Sequence, residues 1–178
     1  QESGIQCSWE RDKKIKQFCK SKQISWKEAQ RDGILRGIKN RENWNKKWHL
    51  KMHKSVIQNK YTISKKTHLE HPFIMPSKLE SQLKEYPNYY QPPGEKNAWR
   101  YLRSFANQRG YNYSRHISKP MESRVSCSRL SPYLAWGNMS IKQAFQFIGT
   151  HTNRTRYSKA FSAMLTRLHW HCHFIQKF

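Results

Sequence analysis

Acidic side chains are the scarcest charged groups in this chain. Eleven Asp and Glu stand against 34 Lys and Arg in 178 residues, a net charge of +23 with a pI near 10.2. No acid follows Glu122, whereas eight Lys and Arg do. Such a surplus favours a polyanionic partner, because clustered Lys and Arg release counterions from phosphates. A solvated basic surface without a partner fits the same composition. Cysteine is sparse too: Cys7, Cys19, Cys127 and Cys172 lie far apart with no CxxC pair. This predicts reduced thiols in a cytosolic protein rather than a disulfide framework. No stretch approaches the roughly 20 apolar residues that span a bilayer, so no membrane partner is expected. No charged-then-apolar leader opens the chain, and no internal repeat is visible. The chain starts at Gln1 and closes at Phe178 inside an apolar pattern, so both ends read as cut. Aromatics, by contrast, are plentiful. Seven Trp, nine Tyr and eight Phe argue against disorder.

The first third carries most of the charge, with 18 Lys and Arg against four acids over residues 11–66. Residues 9–22 read as a helix capped by Ser8, with Ile15, Phe18 and Cys19 on its apolar face. Ile24-Ser25-Trp26 has the length and composition of a strand, and Asp32-Gly33 and Gly37 punctuate a loop. From Arg41 a second helix sets Trp44 and Trp48 one turn apart on one face. Helix, strand, loop, helix is the pattern of the closing end of an α/β domain. Residues 51–75 form a basic, poorly periodic connector ending at His71-Pro72, either a DNA-facing stripe or a solvated linker. The remainder reads as helical. Leu79 and Leu83 mark a helix over Ser77–Tyr86, which a Pro-rich loop stops at 87–94. Ala98, Leu102 and Phe105 mark a helix ending at Gly110, and Ser131-Pro132 marks a helix start with Ser131 as N-cap. Ser140 caps a helix with Ile141, Ala144, Phe145 and Ile148 on one face. Phe161, Leu165, Leu168, Cys172 and Ile175 form the stripe of the last helix.

The most informative segment is Ser126-Cys127-Ser128-Arg129-Leu130-Ser131-Pro132-Tyr133-Leu134. Hydroxyls precede a Pro-started helix whose free N–H groups and dipole favour an anion, with Arg129 alongside and no acid near. Serines that only cap a helix would give the same pattern. The cluster His169-Trp170-His171-Cys172-His173 does not make a metal site: 169 and 173 share a helical face, but 171 and 172 point elsewhere.

Ser128-Arg129-Leu130-Ser131-Pro132-Tyr133-Leu134, with Gly137 and Ser140 after it, resembles the flavin-phosphate motif of the photolyase/cryptochrome family. Three further segments resemble that family in order and spacing. Gly94-Glu95, Ala98, Leu102 and Phe105 are similar to the helix opening its FAD domain. Trp9-Glu10-Arg11-Asp12 and Asn43-Trp44 are similar to the end of its antenna-type domain. Leu168-His169-Trp170 and Phe174 are similar to its Leu-x-Trp-Arg-Glu-Phe helix.

The resemblance implies a mainly α fold in three parts. Residues 1–50 would be the end of an α/β antenna-type domain, 51–75 a linker, and 76–178 the truncated first helices of an all-α FAD-binding domain. It implies FAD held by Tyr113, Cys127, Ser128, Arg129, Leu130, Ser131, Arg167 and His171, with Cys127 where the family usually has Thr. The antenna chromophore is not specified. Damaged DNA would be the partner, met by Trp170, Arg167 and Lys119, and the protein would be a monomer in the cytoplasm (nucleoid-associated, or nuclear in a eukaryote). The implied activity is blue-light-driven repair of pyrimidine dimers by electron transfer from reduced flavin, a lyase reaction of the intact protein, with this chain alone inactive. Arg167 stands where repair enzymes carry Glu, and His171-Cys172 where they carry Arg-Glu. Those departures favour the family's other function, a blue-light photoreceptor that binds FAD without repair.

Overall fold

The computed structural model describes residues 6–30, 32–58, 72–85, 87 and 89–177. Among them, every regular element is helical. The helices are α1 (Gln6–Ser21), α2 (Trp44–His53), α3 (Ser77–Lys84), α4 (Glu95–Asn107), α5 (Tyr113–His116), α6 (Pro120–Ser126), α7 (Ser131–Ala135), α8 (Ile141–Thr150) and α9 (Ser158–Lys177). Short 3₁₀ turns at Arg109–Asn112 and Thr152–Arg154 lead into α5 and α9. The mainly α expectation holds.

The strand expected at Ile24-Ser25-Trp26 is not formed. A strand needs a neighbour for its backbone N–H and C=O groups, and no strand exists among the described residues. The apolar face expected for α1 is also different. Ile15 and Phe18 face solvent, and the buried positions are Ser8, Asp12 and Cys19. Asp12 explains the inversion, because Arg36 reaches it at 2.7 Å and Arg11 at 2.6 Å. Those two guanidiniums, Arg11 before Arg36, hold its carboxyl below the usual carboxylate range. Ser8 lies inside the helix instead of capping it. Leu79 and Leu83 of α3 are exposed as well. Tyr86, Asn88 and most of the 51–75 connector, including His71, lie outside the described residues.

A single apolar cluster runs from Ile34 through α2, α4, α7 and α8 to α9. Trp44, Trp48 and Met52 of α2 fall at successive i, i+4 positions and bury against α8 and α9. Gly33 lets this happen: a Cβ there would stand 1.9 Å from the Trp48 ring, and its carbonyl accepts the Trp44 indole N–H at 2.8 Å. Helix α9 is the hub. Ala160, Phe161, Met164, Leu168 and Cys172 form its buried stripe, and Gln176 clasps the Leu35 backbone in both directions, at 2.6 and 2.9 Å. Ser140 makes the expected cap, a reciprocal box with Gln143. Burial pushes the Cys172 thiol up to about 11, and all four cysteines are unbridged.

Where α2 meets α9, His169 packs on Trp44 and Trp48, stacks on His49, and donates to the Asn45 side-chain oxygen at 3.1 Å. Burial, then the charges of His49, His173 and Arg41, hold its pKa below the ordinary 6.5. The unfolded chain therefore takes up this proton at a higher pH than the folded chain. Above 6.5 the group leaves stability unchanged, and below it stability falls until the folded imidazole also titrates. The urea midpoint is expected to drop between about pH 7.5 and about pH 5.5. His169→Gln should flatten that dependence, and an unaltered slope in the variant would contradict the assignment.

Candidate functional site

The segment 126–134 is built around Arg109. Gly110, which follows it, has no room for a Cβ: one would stand 2.8 Å from the Phe105 carbonyl oxygen. The tight turn there directs the Arg109 side chain back across α4 and onto α6. Its guanidinium donates to Ser104 Oγ at 2.8 Å, to the Tyr101 carbonyl at 3.0 Å, to Val125 at 3.0 Å and to Cys127 at 2.6 Å. Carbonyl and hydroxyl oxygens, rather than a carboxylate, receive it. Burial, and next the charge of Arg129, make its protonation less favourable than usual.

Arg129 adopts φ +59°, a left-handed conformation that costs a non-glycine residue roughly 1–2 kcal/mol. A reciprocal pair with Gln91 holds it there: Arg129 Nε donates to the Gln91 side-chain oxygen at 3.1 Å, and Gln91 Nε2 donates to the Arg129 carbonyl at 2.8 Å. Tyr133 adds a bond from its hydroxyl to the Pro92 carbonyl at 2.7 Å. The Pro-rich loop is therefore a brace for the motif. Beside it a cavity of about 380 Å³ is lined by Pro93, Pro132, Tyr133 and the exposed Trp136.

Helix α7 differs from the expectation. It spans five residues, and Leu130, not Ser131, occupies the cap position, with no side-chain cap bond. So short a helix has little dipole, since the dipole sums over aligned peptide units. Any affinity for an anion must come from side chains. Ser131 is exposed, Ser128 half-buried and Leu130 buried in the core.

Cys127 lies within electrostatic reach of Arg109, Arg129 and Arg167 on α9, and Tyr113 on α5 within reach of Cys127 and Arg167. Burial drives the Tyr113 phenol up to about 12, the Cys127 thiol adding to the rise and Arg167 opposing it. Burial likewise raises the Cys127 thiol, against the hydrogen bond from Ser123 and the pull of Arg109, Arg129 and Arg167. Both groups are neutral donors at physiological pH, Cys127 near three guanidiniums and Tyr113 near that of Arg167. His171 is half-buried one turn beyond Arg167. The Arg167 guanidinium lies over the Trp170 ring at 4.6 Å, and Phe174 meets the indole edge-on. Trp170 is 40% exposed, on the flank of α9 away from the buried stripe. Lys119 stands apart from this group and pairs with Glu122 at 3.3 Å. Among the described residues no group of three or more His, Cys, Asp or Glu has metal-holding geometry, and no helix is long and apolar enough to cross a membrane.

Sequence reading missed Arg109. Three of its four acceptors are backbone carbonyls 8–18 residues away, which leave no side-chain pattern to detect.

No family model, curated protein or solved structure matches the chain.

Arg109→Gln should leave several carbonyls underbonded and cost about 1–3 kcal/mol. Arg109→Lys should restore little of it, because an ammonium lacks the planar fork that serves four acceptors. Urea unfolding measures the loss, and hydrogen exchange should rise first at residues 125–131. Wild-type stability and exchange in both variants would show that the staple is dispensable.

Proposed function

We propose that this chain supplies the flavin-pyrophosphate half of a photolyase-type protein that repairs pyrimidine dimers in DNA with blue light. The observation carrying this reading is the position of Arg167. One guanidinium stacks on the exposed Trp170 and also acts on Tyr113 and Cys127. A base-stacking surface and an anion-favouring cluster are thereby joined across α9. The donor set suits a pyrophosphate: Arg129 and Arg167 bring charge, Tyr113 and Ser128 bring hydroxyls, and Cys127 brings a weaker thiol donor. Reduced FAD, when bound, supplies the electron that splits the dimer. The chain's own part is to neutralise the phosphates, exclude competing acids and present Trp170. An indole face contributes roughly 1–3 kcal/mol when it stacks on an extruded base, and a lesion lowers the cost of extrusion. The basic surface adds affinity for phosphate without regard to sequence.

The second reading, a blue-light photoreceptor of the cryptochrome type, is favoured by the same Arg167. It covers one indole face, and it cannot accept a hydrogen bond from a base as a carboxylate would.

A competition titration with ultraviolet-treated and untreated duplexes at two salt concentrations separates the readings. Repair predicts a preference for the treated duplex that Trp170→Ala abolishes, with the salt slope unchanged because that slope belongs to Lys and Arg. A wild-type chain indifferent to the lesion would discard repair in favour of the photoreceptor.

A further inference from the structure

The turn joining α5 to α6 folds the two helices against each other and brings together three side chains that flavin binding does not use. Ser126 Oγ lies 2.7 Å from His116 Nδ1, and His116 Nε2 lies 3.3 Å from Glu122 Oε2. Glu122 and Ser126 sit at i, i+4 on one face of α6, and His116 ends α5. A carboxylate can only accept, so it keeps the proton on Nε2. Nδ1 is left with its lone pair towards the Ser126 hydroxyl. This is a hydroxyl, base and orienting acid in series, with the two ring nitrogens exchanged relative to the usual serine-hydrolase order.

The three residues border a cavity of about 760 Å³. Ser126 is 4% exposed, as suits a hydroxyl set into a wall. Tyr111 and Tyr157, with ring centroids 5.4 Å apart, form an aromatic side. Arg156 stands over the Tyr157 ring and brings positive charge to the rim. Gln108 and Asn112 place amide groups on the same wall.

We infer that Ser126, His116 and Glu122 form a nucleophilic acyl-transfer site for esters that carry an anionic group. Ser126 Oγ attacks the ester carbonyl as His116 Nδ1 takes the hydroxyl proton. The carbonyl bond re-forms with loss of the alcohol, which leaves with that proton, and the acyl group remains on Ser126. Water, deprotonated by the same imidazole, then releases the acid and restores the hydroxyl. Glu122 is a positioning residue that fixes the imidazole, and Lys119 shares its carboxylate at 3.3 Å. The inference stands apart from flavin binding, since Tyr113, Cys127, Arg129 and Arg167 do not line this cavity.

The test uses the 178-residue chain with a fluorophosphonate probe and two esters, neutral 4-nitrophenyl acetate and anionic mono(4-nitrophenyl) glutarate. Covalent labelling is expected on Ser126, found by peptide mass, and absent in His116→Gln. Turnover of the anionic ester should fall about 10³-fold in Ser126→Ala and about 10²-fold in His116→Gln. Arg156→Gln should remove the preference for the anionic ester. Glu122→Gln should lower kcat with KM held, which a merely structural role would not do. Absence of label on Ser126, or equal turnover in Ser126→Ala, would overturn the proposal. Should the alanine variant fail to fold, Ser126→Cys provides a second route. Iodoacetamide should alkylate that thiol at least about 10-fold faster than in the double variant with His116→Gln, and equal rates would also overturn the site.

Discussion

One guanidinium organises the half of this molecule that holds both candidate sites. Arg109 bonds to α4 through Ser104 and Tyr101, and to the end of α6 through Val125 and Cys127. A cation partly withdrawn from water is usually paired with a carboxylate. Here carbonyl dipoles from two segments do that work, and the guanidinium charge acts on Cys127 and Arg129. Because three of the four acceptors are backbone carbonyls, the bonds mainly set the path of the chain. The strained Arg129, braced by Gln91, follows directly from that path. Next to Cys127 on the same path, Ser126 meets His116. Two candidate sites thus share one anchor.

Helix α9 links this half to the rest. Its stripe from Ala160 to Cys172 fills the core, and its N-terminal approach packs on the turn around Arg109. Its far end is gripped by Leu35 and overlaid by the tryptophans of α2. The polar flank is then free to present Arg167 and Trp170 together. Packing constrains the helix axis, and the axis decides which side chains reach the Tyr113–Cys127 cluster. The scarcity of acids completes the arrangement: after Glu122 none exists to pair with Arg129, Arg156 or Arg167.

Local periodicity was legible wherever the buried face was apolar. Trp44 and Trp48, the Ser140 box and the α9 stripe all appear where spacing places them. It failed where burial was polar or absent. Helix α1 buries Asp12 because two arginines compensate it, and no hydrophobic pattern announces that. Ile24-Ser25-Trp26 has strand composition but no partner strand among the described residues, and composition carries no information about pairing. Ser131-Pro132 does begin a helix, yet one too short to act as an anion site by its dipole. Cys127 meets Arg109 and Arg167 across long stretches of chain, and His116, Ser126 and Glu122 come together through a turn that no motif marks. Residue types identify what chemistry is available; tertiary contacts decide which of it meets.

We propose that the side chains of Cys127, Ser128, Arg129 and Ser131, with Arg109 holding the segment and Arg167 facing it, cradle a pyrophosphate. Amide shift mapping of the isotopically labelled chain, titrated separately with FAD, inorganic pyrophosphate and riboflavin, tests it most directly. FAD and pyrophosphate should shift the amides of residues 127–131 and the Arg129 and Arg167 side-chain signals, and riboflavin, which has no phosphate, should leave them in place. Shifts confined to other parts of the chain, or an equal response to riboflavin, would contradict the account.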